Sequence, residues 1–261
     1  IVHRVDQHGA QERLEVLDGS PREVIRSNGE VRCVLPDQKM VIVDEAGGRR
    51  AFPARLPSAY ATVVENYQVS MGELARVAGK DAQVIHLVPR DGLRYGHTLW
   101  ADAESGLLLK ARMVDERGEV IEQFTFGDVR IGGEIEPDAL KPRYEMSESW
   151  REVNARGTPV DGRGGWALQS AVPGYVLKSM VVRQLGREHG EVLHMVFTDG
   201  LAAVSVFIEP ADPTGVREGI GALASGPINI YKRKLGDHLV TVLGEVPQKA
   251  VQMIGDGIGP A

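Results

Sequence analysis

A single cysteine, Cys33, stands in 261 residues, so no intrachain disulfide can form and no multi-cysteine metal site can assemble. That scarcity fixes no compartment, because secreted proteins of this size fold without disulfides. No run approaches the roughly 20 apolar residues of a membrane span. An excess of basic charge is also missing. Lys and Arg number 30 against 36 Asp and Glu, a formal charge of −6, which argues against a nucleic-acid partner because phosphate neutralisation needs concentrated positive charge. The one basic run, Lys232-Arg233-Lys234, reads as a solvated strand end.

Chemistry-bearing patterns are absent too. None of the seven histidines stands in an H-x-H or H-x-x-x-H pair with a carboxylate partner. His86 and His194 fall within expected strands and read as packed or hydrogen-bonded residues. There is no G-x-S-x-G elbow, no Walker loop and no G-x-G-x-x-G after a strand, and Gly255-x-Gly257-x-Gly259 follows a helix and reads as a frayed end. Asp81, Asp91 and Asp115 sit in turns, where Asp bonds its own backbone. The chain therefore reads as a non-enzyme with no metal and no cofactor.

What is present is β patterning. Between Ala82 and Ile131 four apolar segments recur, Ala82–Val88, Tyr95–Ala101, Leu107–Met113 and Val120–Ile131, separated by Arg90-Asp91-Gly92, Glu104-Ser105-Gly106 and Asp115-Glu116-Arg117-Gly118. That spacing predicts an antiparallel meander. Upstream, strands are expected at Ile1–Val5, Glu12–Leu17, Glu23–Ser27, Glu30–Leu35 and Lys39–Val43, with Asn28-Gly29 as a type I′ turn. Residues 47–60 break into Arg and Pro as a loop leading into a short helix near Ser58–Val64. With a further strand at Asn66–Met71, nine or ten consecutive antiparallel strands form a large sheet that must curl. The chain opens on Ile1-Val2-His3, so it is expected to begin inside a domain whose first strand is missing.

Gly132–Pro137 ends the sheet. The expected division is a large domain over 1–133, a linker over 134–147 and a small α+β domain over 148–261. The small domain has strands at Tyr175–Leu185, Glu191–Asp199, Ala203–Glu209, Asn229–Leu235 and His238–Gly244, Gly236-Asp237 as a hairpin turn, Trp150 and Trp166 around Gly162-Arg163-Gly164-Gly165, and a helix Gln248–Ile254 opened by Pro247. The fold class is mainly β with α.

Several stretches resemble the RseB/MucB family of regulators of envelope-stress sigma factors. They are Gln11–Glu15 through Gly19–Arg26, Leu93-Arg94-Tyr95-Gly96-His97-Thr98-Leu99-Trp100, Glu122-Gln123-Phe124-Thr125-Phe126, Pro173-Gly174-Tyr175, Asp199–Glu209 and Leu235–Pro247. The resemblance implies that the large domain is an unclosed, LolA-like half-barrel with an apolar cavity. It also implies a periplasmic protein that binds the periplasmic segment of a transmembrane anti-sigma factor, shields it from proteolysis and releases it on sensing lipid or lipopolysaccharide. A periplasmic lipid or lipoprotein carrier is the alternative.

Shared strand parity nominates Ile85, Leu87, Leu107, Leu109 and Met113 as the lining of the lipid cavity. Val204, Val206, Ile208, Ile230 and Lys232 are nominated for the partner, on strands expected to offer an edge or exposed face to an extended peptide. Self-association as a homo-oligomer is left open by the sequence.

Overall fold

Turn residues set the strand limits in the computed structural model, which describes residues 1–7, 9–45, 60–160, 164–184, 190–212 and 219–261. In chain order the elements are β1 (Val2–Asp6), β2 (Gly9–Glu15), β3 (Glu23–Ser27), β4 (Glu30–Leu35), β5 (Met40–Glu45), α1 (Tyr60–Asn66), β6 (Tyr67–Val77), β7 (Lys80–Pro89), β8 (Gly96–Asp102), β9 (Leu108–Val114) and β10 (Val120–Thr125). There follow β11 (Arg151–Asn154), β12 (Thr158–Pro159), β13 (Trp166–Leu168), β14 (Val176–Gln184), β15 (Glu191–Thr198), β16 (Ala203–Pro210), β17 (Gly221–Ser225), β18 (Ile228–Leu235), β19 (His238–Gly244), α2 (Gln248–Gly257) and β20 (Ile258–Pro260). The protein is mainly β; among the described residues consecutive strands pair antiparallel from β1 to β5, from β6 to β10 and from β17 to β19, whereas β11 runs parallel to β5. The expected loop at 47–59 and Gly162-Arg163 lie outside the described residues.

The expected turns form as the residue chemistry dictates. Asn28 and Gly29 both take positive φ, 51° and 82°, the pair of conformations that a type I′ turn needs. Instead of one sheet, the first ten strands lie in two. One has the order β1-β2-β3-β4-β5-β11 and the other the order β10-β9-β8-β7-β6. A third sheet of seven strands has the order β12-β14-β15-β16-β19-β18-β17, and β13 pairs with β20.

The chain folds into two compact units, and neither is a continuous segment. One comprises Ile1–Arg49, Gly132–Thr158 and Arg183–Leu185; the other comprises Arg50–Ile131, Pro159–Val182 and Gly186–Ala261. The core of the first is Ile25, Val34, Val41 and Val43, with Tyr144 and Trp150 packed against it. The stretch expected as a linker is held within this unit. The Arg143 amide donates to the buried Glu23 carboxylate at 3.2 Å, and its guanidinium pairs with Glu15. Beyond it, Arg183 donates to Asp44 at 2.9 Å.

In the second unit α2 lies over β18 and β19. Ala250, Val251 and Ile254 are fully buried on its inner face, at about 1.5–3 kcal/mol for each larger aliphatic. The glycines of the tail are packing positions, not a frayed end. A Cβ on Gly255 would meet the Tyr231 ring at 2.6 Å and one on Gly257 would meet Leu168 at 2.9 Å. The bare backbone lets helix and sheet approach, and β20 then continues the chain into pairing with β13.

Candidate functional site

The five residues nominated for the cavity do not share a face. Leu87 pairs with His97, and His97 with Met113, which places Leu87, Ile85 and Met113 on one side of the sheet. Ile85 and Leu87 pack there with Val63, Tyr67, Leu99 and Leu108. Leu107 and Leu109 instead pack with Val77 and Ala82. The cause is a bulge: Trp100 pairs with Lys110 but Ala101 pairs with Leu108. Leu109 is therefore the extra residue, and the side-chain alternation of β9 flips at that point. Leu108 takes the place expected of Leu109.

The partner residues need a similar correction. Val204, Val206 and Ile208 are buried in the core of the second unit, with Met195, Val240 and Val242, and are closed to a partner. Ile230 and Lys232 are half-buried on the opposite face of the same sheet, since Tyr231 and Arg233, between and beside them, bond α2. Strands β16 and β18 each have a neighbour on both sides, so neither offers an edge. Among the described residues the free edge on that side is β17.

The second unit also holds a buried charged node that no local spacing reveals. Its centre is the ion pair between Arg94 Nε and Asp199 Oδ2 at 2.8 Å, with both side chains fully buried. Asp199 Oδ1 accepts from the amides of Leu201 and Ala202 at 2.9 and 2.6 Å, and Oδ2 accepts from the Tyr67 hydroxyl at 3.2 Å. Arg94 spends its other donors on Asp91 and on the Pro173 carbonyl, the latter at 2.6 Å. Its guanidinium lies 4.9 Å from the Tyr175 ring centroid, and the Tyr175 hydroxyl donates to the Leu93 carbonyl at 3.0 Å. A Cβ on Gly174 would overlap the guanidinium and Asn66, and φ there is +76°, so only glycine fits.

Burial by itself would lower the Arg94 pKa, but the hydrogen bond with Asp91 and the charge of Asp199 outweigh it and hold the group above its ordinary value. Burial, reinforced by the Asp199 charge, pushes the Tyr67 phenol up, so it stays neutral and donates. Every strong polar group here is satisfied by another, which is the condition under which a buried ion pair holds a structure together. The node is a clamp between the β6–β10 sheet and the seven-stranded sheet.

Beside the clamp lies a groove of about 980 Å³, walled by the strand end Leu87–Pro89, the 91–98 and 114–118 segments, Asn229 and the start of α2 at Pro247–Lys249. Asn229 Nδ2 ties two of these walls by donating to the Tyr95 hydroxyl at 2.9 Å and to the Val246 carbonyl at 2.8 Å. Apolar Pro89, Val114 and Pro247 alternate with charged Asp115, Arg117 and Lys249, a lining suited to an amphipathic ligand. Among the described residues no cluster of three or more His, Cys, Asp or Glu could hold a metal ion. His86 and His194 are hydrogen-bonded to Thr98 and Ser205.

Comparison with known proteins identifies the fold's relatives. The model of the MucB/RseB N-terminal domain matches residues 1–144, and that of the MucB/RseB C-terminal domain matches residues 161–259. The chain belongs to the MucB/RseB family. It is 31% identical to the sigma factor AlgU regulatory protein MucB of Pseudomonas aeruginosa over all of this chain and 80% of that protein. It is 26% identical to the sigma-E factor regulatory protein RseB of Haemophilus influenzae, over 93% of this chain and 75% of that protein. Two solved structures resemble it over 99% of this chain and 86% of theirs. One is MucB in complex with MucA(peri), at 28% identity and a TM-score of 0.72; the other is the Pseudomonas aeruginosa MucA/MucB complex, at 29% and 0.73.

The boundary between the two MucB/RseB models does not follow the compact units. Arg94 and Tyr67 fall in the N-terminal match, Asp199 and Tyr175 in the C-terminal one, yet all four belong to one unit. Three of the stretches that carry the resemblance, around Arg94, Pro173-Gly174-Tyr175 and Asp199, converge on this clamp. That convergence is the signal by which sequence reading could have found it.

Proposed function

We propose that this protein is a periplasmic negative regulator of an envelope-stress sigma-factor pathway. It binds the periplasmic segment of a transmembrane anti-sigma factor, shields that segment from the site-1 protease and releases it on sensing lipid or lipopolysaccharide. The likeness to MucB solved with MucA(peri), over 99% of the chain, carries this reading. The proposal includes a division of labour, with lipid sensing in 1–133 and partner binding in 148–261. It places the lipid in the groove beside the clamp, which Leu87 and Val114 line.

Titration calorimetry of the full chain against the recombinant periplasmic segment of the cognate anti-sigma factor tests the first half. Saturable one-to-one binding supports it. Titrating lipopolysaccharide into the preformed complex tests the second half, since a ligand that releases the segment must be bound more weakly, by the same factor, when the segment is present. Lipid binding with no binding of the segment favours the carrier reading instead.

A further inference from the structure

Edge strands with open amides invite pairing, and proteins block them with charge, proline or bulges. The edges of the three larger sheets follow that rule with one exception. Strand β1 carries Arg4 and Asp6, β11 carries Arg151 and Glu152, and β12 carries Pro159. Strand β6 carries Glu73, Arg76 and a bulge at Met71/Leu74, and β10 carries Glu122 and a bulge at Val120/Glu122. Strand β17, Gly221-Ala222-Leu223-Ala224-Ser225, has none of these devices, and among the described residues no strand pairs with its outer side.

Its inner side is fixed by a two-residue turn. Ser225 pairs with Ile228 across Gly226-Pro227, and Gly226 has φ 57°, as a II′ turn with glycine first requires. The pairs Ser225–Ile228, Leu223–Ile230 and Gly221–Lys232 then take the inward hydrogen bonds, and the amides and carbonyls of Ala222 and Ala224 point to the open edge. Small side chains leave that edge accessible. Leu223 is 48% exposed and Ile220 57%. Lys232 stands opposite Gly221, where no side chain separates its ammonium from an incoming strand.

We propose that β17 is a strand-addition site, and that its occupant is an extended segment of the anti-sigma factor's periplasmic region bearing an apolar residue near Leu223 and a carboxylate within reach of Lys232. This rests on the reading given under Proposed function and names the surface that reading lacks. Main-chain pairing supplies affinity and register, and the two side-chain contacts supply selection.

The test follows the Ala222 and Ala224 amides by hydrogen exchange in the full chain, alone and with the recombinant periplasmic segment, beside affinities for the parent, Leu223→Lys and Lys232→Glu. Expected are fast exchange in the free protein, at least tenfold slowing in the complex, and at least tenfold weaker binding by each variant with an unchanged melting temperature. Segment binding without protection of these amides, and with both variants binding as the parent does, overturns the site and leaves the functional reading standing. No binding of the segment to the parent overturns both. Slow exchange in the free protein at every concentration means that this chain covers its own edge, and slowing that grows with protein concentration means that a second copy occupies it; either result overturns the proposed occupant. If a variant is destabilised, the exchange result on the parent decides.

Discussion

Asp199→Asn keeps the shape of the side chain at the centre of the clamp and removes its charge. The Arg94 guanidinium, fully buried, would lose the carboxylate at 2.8 Å and keep Asp91, whose side chain is 34% exposed. Breaking a buried pair by removing one partner costs about 3–5 kcal/mol, and the remaining Asp91 puts this case near the lower end, at about 3 kcal/mol. For a unit of roughly 150–250 residues each kcal/mol moves the melting temperature by about 2–4 °C, so a fall of about 6–12 °C is expected. Thermal denaturation followed by circular dichroism, with urea unfolding to check that the m-value is unchanged, reads it directly. Arg94→Met should cost a similar amount, and the double variant should lose less than the sum because the two share one interaction. A melting temperature within about 1 °C of the parent for Asp199→Asn would refute the clamp.

Three further outcomes follow from the same structure. Tyr67→Phe removes one hydroxyl donor from Asp199 and should cost about 1 kcal/mol; urea unfolding checks it. Gly255→Ala drives a methyl into the Tyr231 ring, 2.6 Å away, and overpacking of this kind costs about 1–3 kcal/mol, visible as a lower melting temperature. The Ser105 hydroxyl and amide hold the Asp102 carboxyl below its ordinary value. A carboxylate depressed in this way stabilises the fold above its unfolded pKa, near about 4, and the gain is lost as pH falls through the folded value. Ser105→Ala should raise the Asp102 pKa and move the onset of acid unfolding to higher pH, with carboxyl NMR titration as the measurement.

Turns and alternation made the strand order legible. Asn28-Gly29 and Gly236-Asp237 each closed the hairpin that their chemistry requires. Three things were hidden for physical reasons. The bulge at Leu109 depends on how β9 pairs with β8, so a strict period of two puts Leu109 on a face that Leu108 occupies. The parity of β16 was readable, since Val204, Val206 and Ile208 alternate with Ser205 and Glu209, and a one-residue slip separates the core face from the open one. The clamp joins Arg94 to a residue 105 positions away, and a pairing across that distance leaves no local pattern. The tail glycines looked like disorder because close packing against Tyr231 and Leu168 is a property of the partners, not of the glycines.

The central claim, that this chain guards an anti-sigma factor, is tested most directly by the cut it should prevent. The periplasmic segment of the cognate anti-sigma factor is incubated with activated site-1 protease while the purified chain is added in increasing amounts. The account predicts that cleavage slows in proportion to the fraction of segment bound, stops near one equivalent and resumes when lipopolysaccharide is added. Unchanged cleavage in the presence of excess folded protein would contradict it.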